Sequence, residues 1–216
     1  KDGVFNYAFI KDYFVKPKKE KSYIDFNLRY ASLSETRFLY DDHMHEKKEK
    51  GMDYFHLDVR DIAGEVLNLK IDKDTIFGDI QGFTAKEKCG FDLQCLSTHA
   101  KVSPKGIYLS GLEIFTKDSW VKTKHFDMIS DSYSNFKHFV DSVTFDAQID
   151  ASDVSLEEIV HFAPALEGMN DRVKLHSKIY GSVSTMRLPQ FELHYAEKTY
   201  VKGKIKIADY RNFENG

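Results

Sequence analysis

The sequence predicts an all-β fold, a long curved antiparallel sheet, on three observations. Apolar and polar residues alternate along most of the chain, the alternation slips at a few defined points, and a strand, polar break, hydroxyl, strand pattern recurs four times. Alternation with period two sends successive side chains to opposite faces of a strand, so one face is apolar and the other wet. That is the pattern of an antiparallel sheet with a solvated face; buried parallel strands read as continuous apolar runs instead.

Taken in order, Ile24, Phe26, Leu28 and Tyr30 alternate with Asp25, Asn27 and Arg29. Phe55, Leu57 and Val59 alternate with His56, Asp58 and Arg60, and Leu67, Leu69 and Ile71 with Asn68, Lys70 and Asp72. Phe91 and Leu93 open the next run, which changes phase between Cys95 and Leu96 before Thr98, Ala100 and Val102. A second slip falls near Gly111, between Leu109 and Leu112, ahead of Ile114. A bulge at each slip keeps both halves facing inward, and glycine tolerates the backbone that a bulge requires. Val143, Phe145, Ala147 and Ile149 follow, then Val173, Leu175 and Ile179, and last Val201, Ile205 and Ile207 against Lys202, Lys204 and Lys206. Bulges bend strands along their length, which predicts a trough or folded ribbon of about ten to twelve strands, roughly 50 Å across at about 4.8 Å per strand.

The recurring pattern centres on Thr36, Thr75, Ser119 and Thr199, spaced by 39, 44 and 80 residues. A period near forty with one copy overwritten suggests a repetitive β-array in which each unit buries its apolar face against its neighbours. The overwritten copy would fall near residue 159. There, Val154-Ser155-Leu156-Glu157-Glu158-Ile159 carries a capping box between Ser155 and Glu158 and a staple between Val154 and Ile159, predicting one short helix over 155–163 that ends before Pro164. Its apolar positions Leu156, Ile159, Val160 and Phe162 place it against the apolar face.

At 216 residues and 42% hydrophobic, the chain is long enough for a sizeable core and fits one domain over 1–216. A net charge of −3 and a pI near 6.3 supply no basic field for nucleic acid. Mean hydropathy is −0.47 and no run of eighteen apolar residues occurs. Lys1-Asp2-Gly3 does not resemble a signal peptide, and a start without Met suggests a piece of a longer protein. Cys89 and Cys95, on one extended strand, would lie about 20 Å apart, too far to bond, and read as small apolar residues that leave the redox compartment open. Asp41 to Lys50 and Pro17 to Lys21 read as solvated hairpin loops.

Catalytic patterns are missing. No Gly-x-Ser-x-Gly, phosphate-binding glycine loop, His-Glu-x-x-His or calcium loop appears. His43 and His45 lack a third ligand at local spacing, so no metal site is predicted. His56, His99 and His176 alternate outward, and Asp146 and Asp150 read as solvated strand acids with Gln148 between them. Trp120 reads as wall packing or a rim residue. The chain is expected to be no enzyme and to need no cofactor.

The stretches HLDVRDIAGEVLNLKI (56–71), IQGFTAKEKCGFDLQCL (80–96), GIYLSGLEIFTKDSWVKT (106–123) and FAPALEGMNDRVKLHSKIYGSVSTMRL (162–188) resemble the TamB-like proteins of Bacteroidetes-type bacteria, in the AsmA-like superfamily. The resemblance runs from about Tyr23 to Tyr210 and rests most on the strand pair from Leu112 to Ser119 followed by Phe162-Ala163-Pro164. It implies a periplasmic segment of a long protein anchored in the inner membrane and reaching an Omp85-class partner in the outer membrane through regions outside this chain. It also implies a taco-like groove with a hydrophobic interior, no catalytic residues, and a role in carrying phospholipid between membranes or in outer-membrane protein assembly.

On that reading, acyl chains would lie along Leu67, Leu69, Ile71, Phe91, Leu93, Leu112, Ile114, Val143, Phe145, Ile149, Val173, Leu175, Ile179, Val201, Ile205 and Ile207. The residues alone leave a closed core and an open groove equally open, and the resemblance points to the groove. The rival readings are an extracellular carbohydrate-binding or carbohydrate-active β-protein and a closed structural β-domain.

Overall fold

The structure, a computed structural model, describes residues 24–132, 134–135, 139–196 and 199–207. It is one ten-stranded sheet: β1 (Ile24–Asp41), β2 (His56–Lys73), β3 (Thr75–Glu87), β4 (Asp92–Ser103), β5 (Gly106–Thr116), β6 (Trp120–Ile129), β7 (Thr144–Ser155), β8 (Arg172–Gly181), β9 (Arg187–Tyr195) and β10 (Thr199–Lys206). Every ladder joins sequence neighbours, all antiparallel, and none joins β1 to β10, so the sheet is open. Among the described residues there are also two short α-helices, α1 (Phe139–Ser142) and α2 (Leu156–Ile159), and a 3-10 turn, Pro164–Leu166. The all-β antiparallel architecture agrees with the alternation in the sequence. The loop over 17–21 lies outside the described residues.

Residues directly opposite in an antiparallel ladder share a face, so register carries one face across the sheet. Leu28 and Leu69, then Ile71 and Ile76, and Ile76 and Val102 pair in turn. Ala100 pairs with Leu109, Leu96 with Ile114, Leu109 with Phe126, and Met128 with Phe145. Ala147 pairs with Ile179, Val154 with Val173, Leu175 with Leu193, and Leu193 with Val201. The result is an apolar face from β1 to β10 that contains Leu69, Ile71, Ile114, Phe145, Leu175, Ile179 and Val201. The opposite face carries pairs such as Asp79 with His99, Ser110 with His125, and Lys178 with Gln190.

Two of the expected lining residues fall elsewhere. Leu67 pairs with Asp79, on the polar side, because a register shift between Leu67 and Lys70, with Asn68 at φ 52, flips the strand between Leu67 and Leu69. Phe91 precedes β4, in the β3–β4 turn, and its ring meets Phe162 edge-on at 4.9 Å.

Register shifts recur midway along the strands, at Leu33/Thr36, Arg60/Ala63, Ile80/Phe83, Ser97/His99 and Ile149/Val154. Gly82 and Gly111, both at φ 59, interrupt β3 and β5 on either side of the same stretch of β4. The expected bulge at Gly111 is present. The one expected after Cys95 lies slightly earlier, between Leu93 and Cys95. Opposed bulges bend adjacent strands at the same height. Hydroxyls satisfy backbone groups along this seam: Thr98 Oγ1 donates to Ser110 O (3.1 Å), Ser152 Oγ to Leu175 O (2.9 Å) and Ser177 Oγ to Gln190 O (2.8 Å). Among the described residues, Thr123 Oγ1 is the buried side-chain atom left without a partner.

The hairpins leave two rims. At the upper rim β1, β3, β5 and β7 end; at the lower rim β2, β4, β6 and β8 end. The four hydroxyls of the recurring pattern are not equivalent: Thr36 lies inside β1, Thr75 opens β3 at the lower rim, and Ser119 and Thr199 lie at the upper rim. Strands of 18 residues at β1 and 8 at β10 cannot keep a forty-residue spacing in step with the hairpins. The helix expected over 155–163 is a single turn, Leu156–Ile159, and the capping box does not form, since Ser155 makes no side-chain cap.

Candidate functional site

The apolar face is the largest feature the fold builds. Among the described residues there is one sheet, and no helix exceeds four residues, so no second layer covers that face. Burial on it is graded. Leu93 and Leu112, at 9% and 5% exposed, lie near the middle of the sheet, and Val143, just before β7, is fully buried. Leu69, Ile71, Ile114, Phe145, Ile149, Val173, Leu175 and Ile179 are half-buried, as are Leu67, Phe91 and, just after β10, Ile207. Toward the edges the face opens: Phe26, Val201 and Ile205 are exposed at 42%, 45% and 39%.

A strap closes the upper rim over β2 to β6. The segment 156–167 leaves β7 and turns back across the other loops. The Glu158 carboxylate accepts hydrogen bonds from Thr116 Oγ1 (2.5 Å), the Asp118 amide (3.1 Å) and Ser119 Oγ. Glu158 is the residue expected to cap its own helix, and the β5–β6 turn takes it instead. Farther along, His161 O accepts from Met52 N (2.6 Å), and Lys50 Nζ reaches Glu167 (2.8 Å).

Residues 41–50 of the β1–β2 loop are exposed apart from half-buried Asp42, as their charge predicts, but the part of the loop that follows has a polar core under the strap. Asp53, 1% exposed, accepts from Lys48 N and Phe55 N and lies 2.9 Å from His56 Nδ1. Burial opposes ionisation of Asp53, but these hydrogen bonds outweigh it and hold the carboxyl below its usual range. His56, expected to face solvent, is buried. Asp58 takes both Arg37 and Arg60, which hold its carboxyl well below the usual carboxylate range. Cys89 sits in the adjoining turn rather than on a strand with Cys95; both thiols are free, and burial with Glu87 beside it pushes Cys89 up to about 11. His45 stacks on Phe55 at 3.6 Å, and His43 is an exposed residue beside Asp41.

On the polar face, Asp146 pairs across the ladder with Asp127, not along the strand with Asp150. Burial raises the Asp127 carboxyl, with the Asp146 charge adding to it, while His125 Nε2 lies 3.1 Å from Asp146. That carboxylate pair is placed on the polar face by cross-strand register. It escaped the sequence reading because cross-strand register, unlike alternation, is not local.

Among the described residues no cluster of three or more metal-ligating side chains occurs, and no helix is long and apolar enough to cross a membrane. No family model matches the chain, and no curated protein or solved structure matches it either.

Proposed function

We propose that this chain is a section of a periplasmic bridge whose apolar face carries phospholipid acyl chains between the inner and outer membranes, or holds them during outer-membrane protein assembly. The observation that supports it is the apolar face itself, continuous over ten strands and uncovered by a second layer among the described residues. Such a face is costly in water unless something apolar lies on it. The requirement is mutual: a methylene left in water costs about 0.8 kcal/mol, so a tail of about fifteen methylenes costs about 12 kcal/mol. The bulge seam bends the strands, and a bent sheet can hold a tail along its inner side while a headgroup stays wet where the face opens toward β1 and β10. The resemblance to TamB-like proteins agrees with this reading and supplies the compartment, the membrane anchor and the Omp85-class partner.

The test is lipid analysis of the purified chain. Wild-type protein prepared without detergent is expected to carry phospholipid, detected by mass spectrometry after solvent extraction. Leu69→Asp, Ile114→Asp and Leu175→Asp place carboxylates on the half-buried face, where a desolvated charge is expensive. Each is expected to stay folded by circular dichroism and carry at least fivefold less lipid. A lipid-free wild type with variants that unfold would establish a closed structural β-domain instead.

A further inference from the structure

The longest interruption in the nine ladders lies between β7 and β8, where pairing stops at Ile149 with Ser177 and resumes at Val154 with Val173. Side chains patch part of the gap. Ser152 Oγ both donates to Leu175 O and accepts from Leu175 N, and His176 Nδ1 lies 2.7 Å from Asp150 O. On the polar face this gap opens a cavity of about 320 Å³, lined by Trp120, Asp153, Lys174, His176, Glu192 and His194 among others. A second cavity of about 680 Å³ shares Asp153, Lys174 and His194 with it and adds Asn170, Asp171 and Arg172. The two therefore adjoin as one cleft.

Trp120 is the only tryptophan in the chain, and it stands on the polar face, half-buried, in register with Phe115 and Asp153. A large ring on a wet face, at the wall of a cavity, offers a flat apolar platform beside polar groups. The charges around it are largely matched. Asp153 binds Arg172 (2.8 Å) and Lys174 (3.8 Å), and Glu192 binds Lys202 (2.5 Å). A cleft with its charges paired gives little net field for phosphate or nucleic acid. Donors and acceptors remain in number: Arg172 uses one of its five N–H groups on Asp153, and Asn170, Glu192 and the imidazoles add both kinds.

We propose that this cleft binds a neutral oligosaccharide, with the apolar C–H face of one pyranose ring on Trp120 and hydroxyls on His194, Glu192 and Arg172. The ladder gap sets the position, because it leaves a depression beside the Trp120 ring that a sugar ring can enter. The charged residues of the site stand on the opposite face from the proposed lipid surface; Leu175 borders the cavity as well, and the sugar proposal does not rest on the lipid role.

The lone indole is its own reporter. The purified chain is titrated with the β-1,4-linked N-acetylglucosamine trimer, cellotriose, maltotriose and, as an anion control, inorganic phosphate, following tryptophan fluorescence and calorimetry. At least one trisaccharide is expected to give a saturable emission shift, and phosphate none. Trp120→Ala and His194→Ala are expected to weaken calorimetric binding at least tenfold with an unchanged circular dichroism spectrum, while Trp120→Phe stays within about threefold, since it keeps an aromatic face. Should Trp120→Ala fail to fold, His194→Ala and Glu192→Gln decide. No saturable response to any sugar, a preference for phosphate, or folded variants that bind as wild type would overturn the proposal.

Discussion

The two rims of the sheet hold their hairpins by different means. At the lower rim the side-chain contacts are local, and a backbone bond from Ser130 N to Lys105 O ties two neighbouring hairpins. Ser103 Oγ accepts from Lys105 N, Ser130 Oγ from Ser132 N and Ser182 Oγ from Thr185 N, so a buried serine organises three of the four lower-rim connections within three residues, the β2–β3 turn at Asp74 being the exception. At the upper rim the contacts are long-range: Thr116 with Glu158 spans 42 residues and Lys50 with Glu167 spans 117. A locally built rim is stiff hairpin by hairpin, whereas a rim tied by a strap gains or loses its order together. On this ground the lower rim is the fixed side of the sheet and the strapped upper rim the side that can be released.

The comparison breaks most sharply at the lower-rim glycines. Gly106, at φ 143, has no room for a side chain: a Cβ there would overlap the Met128 carbonyl oxygen, which is backbone and cannot rotate away. Gly181 stands in the same relation to Thr185 O. Gly106→Ala is expected to cost about 3 kcal/mol in urea unfolding, with the whole sheet affected.

Glu158→Ala tests the upper rim. It strips the acceptor from two hydroxyls and an amide, and hydrogen bonds to a charged group are worth about 1.5–3 kcal/mol. The expected loss is about 2 kcal/mol, with faster amide exchange over 156–167 and little change at the serine turns. Equal loss of protection at both rims would show that the strap is not a separate unit.

The smallest effect is on pH. Asp53 and Asp58 have folded pKa values below their unfolded value of about 3.9, so their contribution is complete above that pH and fades as pH falls through the folded values. Both lie at the upper rim. As pH is lowered below about 3.9, exchange protection at residues 42–58 is expected to fall before that at 103–106 and 182–186.

Much of the sheet was legible in the sequence. Leu69, Ile114, Phe145, Leu175 and Val201 share a face in the structure, as their alternation predicts, and Gly111 marks a bulge. Leu67 was misread because the bulge at Asn68 has no glycine to announce it. The capping box was misread for a related reason: Ser155 and Glu158 have the right local spacing, but Glu158 finds three donors on the β5–β6 turn. His56 was placed outward by alternation, and the loop that folds Asp53 over it overrode that. Trp120 reads from the sequence as wall packing or a rim residue, and the cavity beside it needs the β7–β8 gap to exist.

The sequence by itself determined the strands, their antiparallel class and the two-faced character of the sheet, because period-two alternation is a property of consecutive residues. Tertiary structure alone decided where the register slips, which turn receives Glu158, which rim the strap closes and where the polar face opens a cleft. Those outcomes depend on which distant residues end up opposite one another, and register, summed over nine ladders, is what brings them there.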